Sequence, residues 1–241
     1  MKSKTEVLFE DEGIVVINKP ANFLTIPDRY KPDLPNLYHF LQDKYGEIFI
    51  VHRLDRETSG IIIFAKTAEV HRTLSLVFER RQIEKEYLAI VEGNFMKKEG
   101  KIDRPIAKSK SGSGKMVIHK RGKLSLSEYE VIEEFKHYSF IKVRIHTGRQ
   151  HQVRVHMKAI GHPLAVDALY NNKSEFYLSQ IKRNYKVNHD GQERPLMGRT
   201  SLHAANLKLK HPISGEPIEF SAEPPKDFKA VLNQLRKWAP V

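Results

Sequence analysis

Apolar residues along this chain fall into short runs, and the spacing within each run changes from element to element. Val7–Glu10 and Ile14–Asn18 are split by Asp11-Glu12-Gly13 and read as a strand pair joined by a tight turn. Pro20 ends the second strand, and Pro27, Pro32 and Pro35 mark residues 27–35 as loop. From Asn36 to Tyr45, Leu37, Phe40 and Leu41 recur on one face, which predicts a short helix stopped at Gly46. The run Ile61-Ile62-Ile63-Phe64 has the length and composition of a buried strand. Thr67 then caps a helix whose Val70, Leu74, Val77 and Phe78 fall at i, i+4, i+7 and i+8, the stripe of a helix laid on a core. Lys85–Val91 is a further strand, and Gly93 closes it.

Residues 101–123 break this pattern. Eight Lys and Arg stand there against one acid, Asp103, around a Ser-Gly-Ser-Gly tract, and the stretch reads as two short strands joined by a mobile basic loop over 104–123. Leu124–Phe135 and Tyr138–His146 both alternate and form an expected antiparallel hairpin across His137. Thr147-Gly148-Arg149-Gln150 has the form of a capping box, so a helix is expected to follow as far as Ile160, with Gly161 as its stop. Residues 170–200 are polar and basic and read as an insertion. Leu202–Lys210 and Pro217–Ala222 are the last strands, and Asp227 caps a final helix with Phe228, Val231, Leu232 and Leu235 on its core face. Strands outnumber helices and most neighbours are expected to be antiparallel. The expected fold is α+β, a single extended, mixed, mainly antiparallel sheet with flanking helices. No internal repeat and no separating linker is visible, so residues 1–241 are expected to be one domain.

Composition narrows the function. A hydrophobic fraction of 40% with 29% charged residues does not fit a disordered or fibrous chain. Forty-one Lys and Arg against 29 Asp and Glu leave a formal charge of +12, which favours a polyanionic partner over a merely soluble surface. Cysteine is absent, so disulfides, thiolate nucleophiles and cysteine-ligated metals are excluded. No apolar run approaches the roughly 20 residues of a membrane-spanning helix, and the first residues lack the apolar core of a signal peptide. A soluble cytoplasmic protein with no membrane association is expected.

Two clusters carry candidate chemistry. His52, Arg53, Asp55, Arg56 and Glu57 precede the most apolar strand; they are either a surface turn, with Asp55 bonding its own backbone, or a site where charge is held at the mouth of a buried strand. Arg144 to His156 holds three Arg and three His in thirteen residues. The histidines are five apart, about 140° of helical rotation, and do not converge as an i, i+4 metal pair does, so no metal is expected. On the expected helix His151, Arg154 and Lys158 share a face, with Arg149 in the first turn where free amides favour an anion.

His52-Arg53-Leu54-Asp55-Arg56-Glu57-Thr58-Ser59-Gly60 resembles the signature of the RluA family of pseudouridine synthases. Four other segments resemble that family in the same order: Ile17–Pro20, Glu84–Tyr87, Thr147–His156 continuing to Tyr170, and Leu202–Ala204 with His211-Pro212. The resemblance implies the pseudouridine synthase fold and isomerisation of uridine to pseudouridine in structured ribosomal or transfer RNA, with no cofactor. It also implies four roles: Asp55 as catalytic aspartate, Arg154 as its partner, Tyr87 as a stacking platform under the flipped uracil, and Arg53 as the side chain entering the vacated helix. Without the resemblance, Tyr87 reads equally as an ordinary strand aromatic and Arg53 as a surface residue. With a strand at Val7, the small N-terminal S4-type RNA-binding domain that many relatives carry is not expected here, and the basic loop and the insertion, near Lys182, Arg183, Lys186 and Arg194, are the expected candidates for target selection. A monomer with no obligate protein partner is expected. The competing readings are a non-catalytic RNA-binding or ribosome-assembly factor of the same fold, and a glycoside hydrolase, which lacks its second carboxylate here.

Overall fold

The structure is a computed structural model, and it describes residues 5–111, 114–186 and 191–241. Twelve strands and four α-helices are present among them. The chain divides into two compact units, Met1–Glu86 with His203–Glu223, and Tyr87–Leu202 with Pro224–Val241.

In the first unit β1 (Glu6–Glu10) and β2 (Ile14–Lys19) form the expected antiparallel pair. Asp11 makes the turn by accepting the Gly13 and Ile14 N–H groups on one carboxylate oxygen, each at 2.8 Å. Helix α1 (Leu37–Tyr45) is capped by the Asn36 side chain, and Gly46 ends it with φ +75°. Leu37 and Leu41 are buried, but Phe40, expected on the same face, is exposed. The short β3 (Phe49–Ile50) and β2 both pair antiparallel with β4 (Ser59–Ala65). Every residue of β4 is buried, as its unbroken apolar run implies. Helix α2 (Ala68–Glu79) is capped by Thr67 and buries Val70 and Leu74.

In the second unit β5 (Glu84–Glu92), whose first residues belong to the first unit, precedes β6 (Glu99–Asp103). The basic stretch forms a two-stranded hairpin, β7 (Ile106–Lys108) with β8 (Met116–Ile118). Residues 112 and 113, between the two strands in sequence, lie outside the described residues. Strands β9 (Leu126–Glu134) and β10 (Tyr138–Ile145) form the expected hairpin, and the order here is β5-β10-β9-β6.

Helix α3 spans Gln152–Ala159, so it starts later than the capping-box pattern implies, with His151 at its N-cap in the left-handed region (φ +55°). The reason is tertiary. Thr147 Oγ1 accepts the Leu126 N–H and donates to Gln152 Oε1, which also accepts the Arg149 N–H, while Gln152 Nε2 donates to the Leu126 carbonyl. Gln152, not Gln150, therefore organises the helix start, and Arg149 lies before the helix rather than in its first turn. Residues 170–200 are pinned rather than loose where described: buried Phe176 and Met197 bridge each other and join a core cluster with Ile90, Phe135 and Phe140.

Strand β11 (Leu202–Lys210) pairs parallel with β4 at His203↔Ser59 and antiparallel with β12 (Pro217–Ser221). Helix α4 (Lys226–Trp238) follows Pro225, and Asp227 sits inside its first turn instead of capping it. Arg199 takes that carboxylate at 2.6 and 2.9 Å. The mixed, mainly antiparallel sheet with flanking helices is thus what the chain builds.

Candidate active site

Asp55 lies on the loop between β3 and β4, and that loop is held from several sides. Lys19, the last residue of β2, is fully buried, and its ammonium donates to the carbonyls of Pro20, Phe23 and Arg56 at 3.0, 2.8 and 3.1 Å. Burying an ammonium is costly unless its donors are satisfied, and these carbonyls do that. Thr25 Oγ1 donates to the Leu54 carbonyl at 3.0 Å and accepts the Leu54 N–H at 3.3 Å. The Thr58 N–H closes a turn on the Asp55 carbonyl at 3.1 Å. Leu54 is buried, Asp55 half-buried, and Arg53 and Arg56 exposed.

The loop's exit is as constrained as its interior. Gly60 has φ +113°, and a Cβ there would lie 2.1 Å from the Ala204 carbonyl oxygen, so only glycine allows β4 to meet β11 at this point. Beside it, His203 donates from Nε2 to the Ala222 carbonyl at 3.0 Å, which leaves Nδ1 to accept from Ser59 Oγ at 2.9 Å. At the loop's entrance His52 accepts the Ile63 N–H on Nε2 and stacks on Phe78 with 4.8 Å between centroids. Burial, with a smaller push from the Lys85 ammonium, lowers its pKa to about 3. His52 is therefore a neutral peg at physiological pH and not an acid or base of the reaction.

Arg154 is buried on α3. Its Nε and Nη2 grip Asp167 bidentately at 2.7 and 2.8 Å. Asp167 is itself fully buried, and its Oδ1 also accepts the N–H groups of Leu169 and Tyr170, each at 3.0 Å. The Tyr170 ring lies 5.0 Å from the guanidinium carbon, and the Tyr170 hydroxyl accepts the Met116 N–H at 2.8 Å and donates to His151 Nδ1 at 2.8 Å. One edge of the guanidinium and one of its faces are thus fixed before any substrate arrives. The sequence pattern alone does not single out Asp167. Its faint signal is a lone acid after the apolar Leu164–Val166 and three residues before Tyr170, an Asx-turn spacing.

Tyr87 is half-buried on β5 and packs against the core cluster that includes Val143 and Val153. The three histidines of the Arg/His cluster diverge: His146 faces Glu128 at 3.1 Å, His151 meets Tyr170, and His156 accepts from Ser127 Oγ while donating to the Arg104 carbonyl. Among the described residues no group of three His, Asp or Glu is arranged to hold a metal ion.

This fold, with a carboxylate on an over-determined loop and an arginine clamped in advance, is that of the pseudouridine synthases. A solved human structure, RNA Pseudouridylate Synthase Domain Containing 4, shares it with a TM-score of 0.70 at 24% identity, covering 95% of this chain and 92% of that one. The family model described as RNA pseudouridylate synthase matches residues 13–159, and the chain belongs to that family. It is an RNA pseudouridine synthase. Among curated relatives, the ribosomal large subunit pseudouridine synthase D of Haemophilus influenzae is 36% identical over 95% of this chain and 70% of its own length. The protein of the same name from Zymomonas mobilis is 38% identical over 95% and 72%.

Proposed function

We propose that this chain converts a uridine of large-subunit ribosomal RNA into pseudouridine, with Asp55 as the catalytic carboxylate. One observation carries the assignment of Asp55. Its loop is fixed by Lys19, Thr25 and the Thr58 turn inside the segment His52–Gly60, so its backbone needs little reorganisation before reaction. The choice of ribosomal RNA follows the names of the relatives, which cover nearly all of this chain.

The reaction is an isomerisation. The N1–C1′ bond breaks, the uracil turns, and a C5–C1′ bond forms; the C5 proton leaves and N1 gains one, with no net redox change or addition of water. A uridine in folded RNA must first leave its stack, at a cost of a few kcal/mol. In this reading exposed Arg53 fills the vacated space, and Tyr87 gives the extruded base a ring to stack on, an interaction of roughly 1–3 kcal/mol. Asp55 acts as nucleophile or base, and Arg154, held in advance by Asp167 and Tyr170, is the arginine assigned to the same reaction.

Charge supports RNA as the partner and places its pull. The second unit carries 26 Lys and Arg against 12 Asp and Glu, a net of +14, whereas the first carries 15 against 17, a net of −2. The excess therefore sits on the unit with Arg154 and the β7–β8 hairpin, where it draws in the phosphate backbone. Asp55→Asn should abolish pseudouridine formation while RNA affinity stays within a few-fold. Pseudouridine mapping of total RNA from a deletion strain should show one or a few missing sites in large-subunit rRNA. A complete map in that strain, or an active Asp55→Asn protein, overturns the proposal.

A further inference from the structure

A second basic surface lies in the second unit at the Tyr138 end of β10, while α3 and Arg154 follow its Ile145 end. The two ends are about 25 Å apart along the strand. Three segments meet there. The Lys136 N–H donates to the Ala239 carbonyl at 2.8 Å, and Phe135 bridges Pro240, which ties the end of α4 to the β9–β10 turn. The Gly93 N–H donates to the His137 carbonyl and Asn94 Nδ2 to the Phe135 carbonyl, which ties the 93–98 loop to the same turn. Lys182 completes the set, with its ammonium 4.4 Å from the ring centroid of Trp238.

The chemistry is that of a nucleic-acid contact. Trp238 is exposed at the last position of α4, with the Lys237 ammonium also over its ring at 5.1 Å. Met96 is fully exposed beside Lys97, and Lys136, Arg183 and Lys186 are exposed. Two nearby acids are paired, Glu133 with Arg236 and Glu134 with Lys98, while Glu193 accepts the Ser179 N–H on the turn before Lys182. Among the described residues Lys97, Lys136, Lys182, Arg183, Lys186 and Lys237 have no carboxylate partner. Two ammonium groups over an exposed indole, with further Lys and Arg on the neighbouring segments, suit a phosphate backbone together with an unstacked base.

We propose that this Trp238 surface is a second RNA-docking site, engaged only by RNA long enough to reach both ends of β10. The inference rests on the reading of the chain as an enzyme of large structured RNA. Its test uses the fact that Trp238 is the chain's single tryptophan. The full chain is titrated with a labelled rRNA fragment of over 100 nucleotides, and with a short stem-loop, while tryptophan emission and RNA anisotropy are read together. The long RNA should quench Trp238 in step with binding, and the short one should leave it unchanged. Replacing Lys136, Lys182 and Lys237 together by Ala should weaken binding of the long RNA about tenfold and lower its salt slope by about two. Long RNA that binds and is modified with Trp238 silent and the triple variant unaffected overturns the docking site alone. No binding and no pseudouridine in any RNA overturns the functional reading and this surface with it. Quenching by anionic phosphatidylserine vesicles but not by RNA would reassign the surface to membranes and so also overturn it.

Discussion

Lys19 shows how much a single side chain settles in this molecule. Its ammonium is the common partner of three carbonyls, one of them in the turn that carries Asp55. Lys19→Met keeps the length and apolar stem but leaves those part-buried carbonyls without this donor. Each orphaned group costs roughly 1–3 kcal/mol, less what water entry recovers, so a net loss of about 3 kcal/mol is expected in urea unfolding. Asp55 would also lose its fixed backbone, so turnover should fall by more than RNA affinity does. A variant as stable as the parent would show that the carbonyls find other donors. In the sequence, Lys19 is visible only as part of a resembling motif, because nothing in a strand ending Asn-Lys-Pro says that the lysine turns inward. Asp167 is hidden for the same reason: its partner Arg154 is thirteen residues away, and only the folded chain closes the distance. Asp55 and Arg53 stand out because charge packed next to an apolar strand is conspicuous in a one-dimensional pattern.

Elements are far more legible than partners. The strands and helices follow from alternation, from the 3.6-residue stripe and from caps such as Asn36 and Thr67, all of which are local. Two of the failures share one cause. Thr147 and Asp227 have the chemistry of helix caps, but β9 and Arg199 respectively claim their oxygens, so tertiary contacts override a local signal. The β7–β8 hairpin supplies the two short strands that the local reading expects, but it places them inside the 104–123 stretch read as loop, and the structure explains why. Ile106, Met116 and Ile118 pack with Val155 and Tyr170, and the Arg104 guanidinium donates to the Ala159 carbonyl, so the base of the hairpin is bound to α3. Its lysines are not needed for that packing. Replacing Lys108, Lys110 and Lys115 by Ala should therefore leave unfolding unchanged while weakening RNA binding. Its salt dependence should flatten by up to about 0.7–0.9 for every phosphate no longer neutralised. An unchanged slope would remove the hairpin from the interface.

At the scale of the whole chain, each unit holds a histidine whose neutral form the fold favours. His52 in the first is held down to about 3 by burial and then by Lys85; His156 in the second is lowered mainly by burial, against the opposing pull of its hydrogen bond to the Arg104 carbonyl. A histidine whose folded pKa lies below its ordinary value of about 6.5 binds fewer protons folded than unfolded. Its contribution is therefore complete above pH 6.5 and drains away as pH falls, over the window from about 6.5 to 3 for His52. The lowered carboxylates Asp11 and Asp227 act in the same direction, but only as pH falls below about 4. Between pH 6.5 and 4.5 the histidines should dominate, at up to about 1.4 kcal/mol per pH unit for each proton taken up on unfolding. The urea midpoint should stay flat from pH 8 to 7 and drop between 6.5 and 4.5. His52→Gln supplies an amide oxygen for the Ile63 N–H and cannot titrate, so it should make that drop shallower while costing some stability at pH 7. A parent protein whose midpoint is unchanged down to pH 4.5 would mean that both rings can be protonated in place, contrary to their packing against Phe78 and between Ser127 and Arg104.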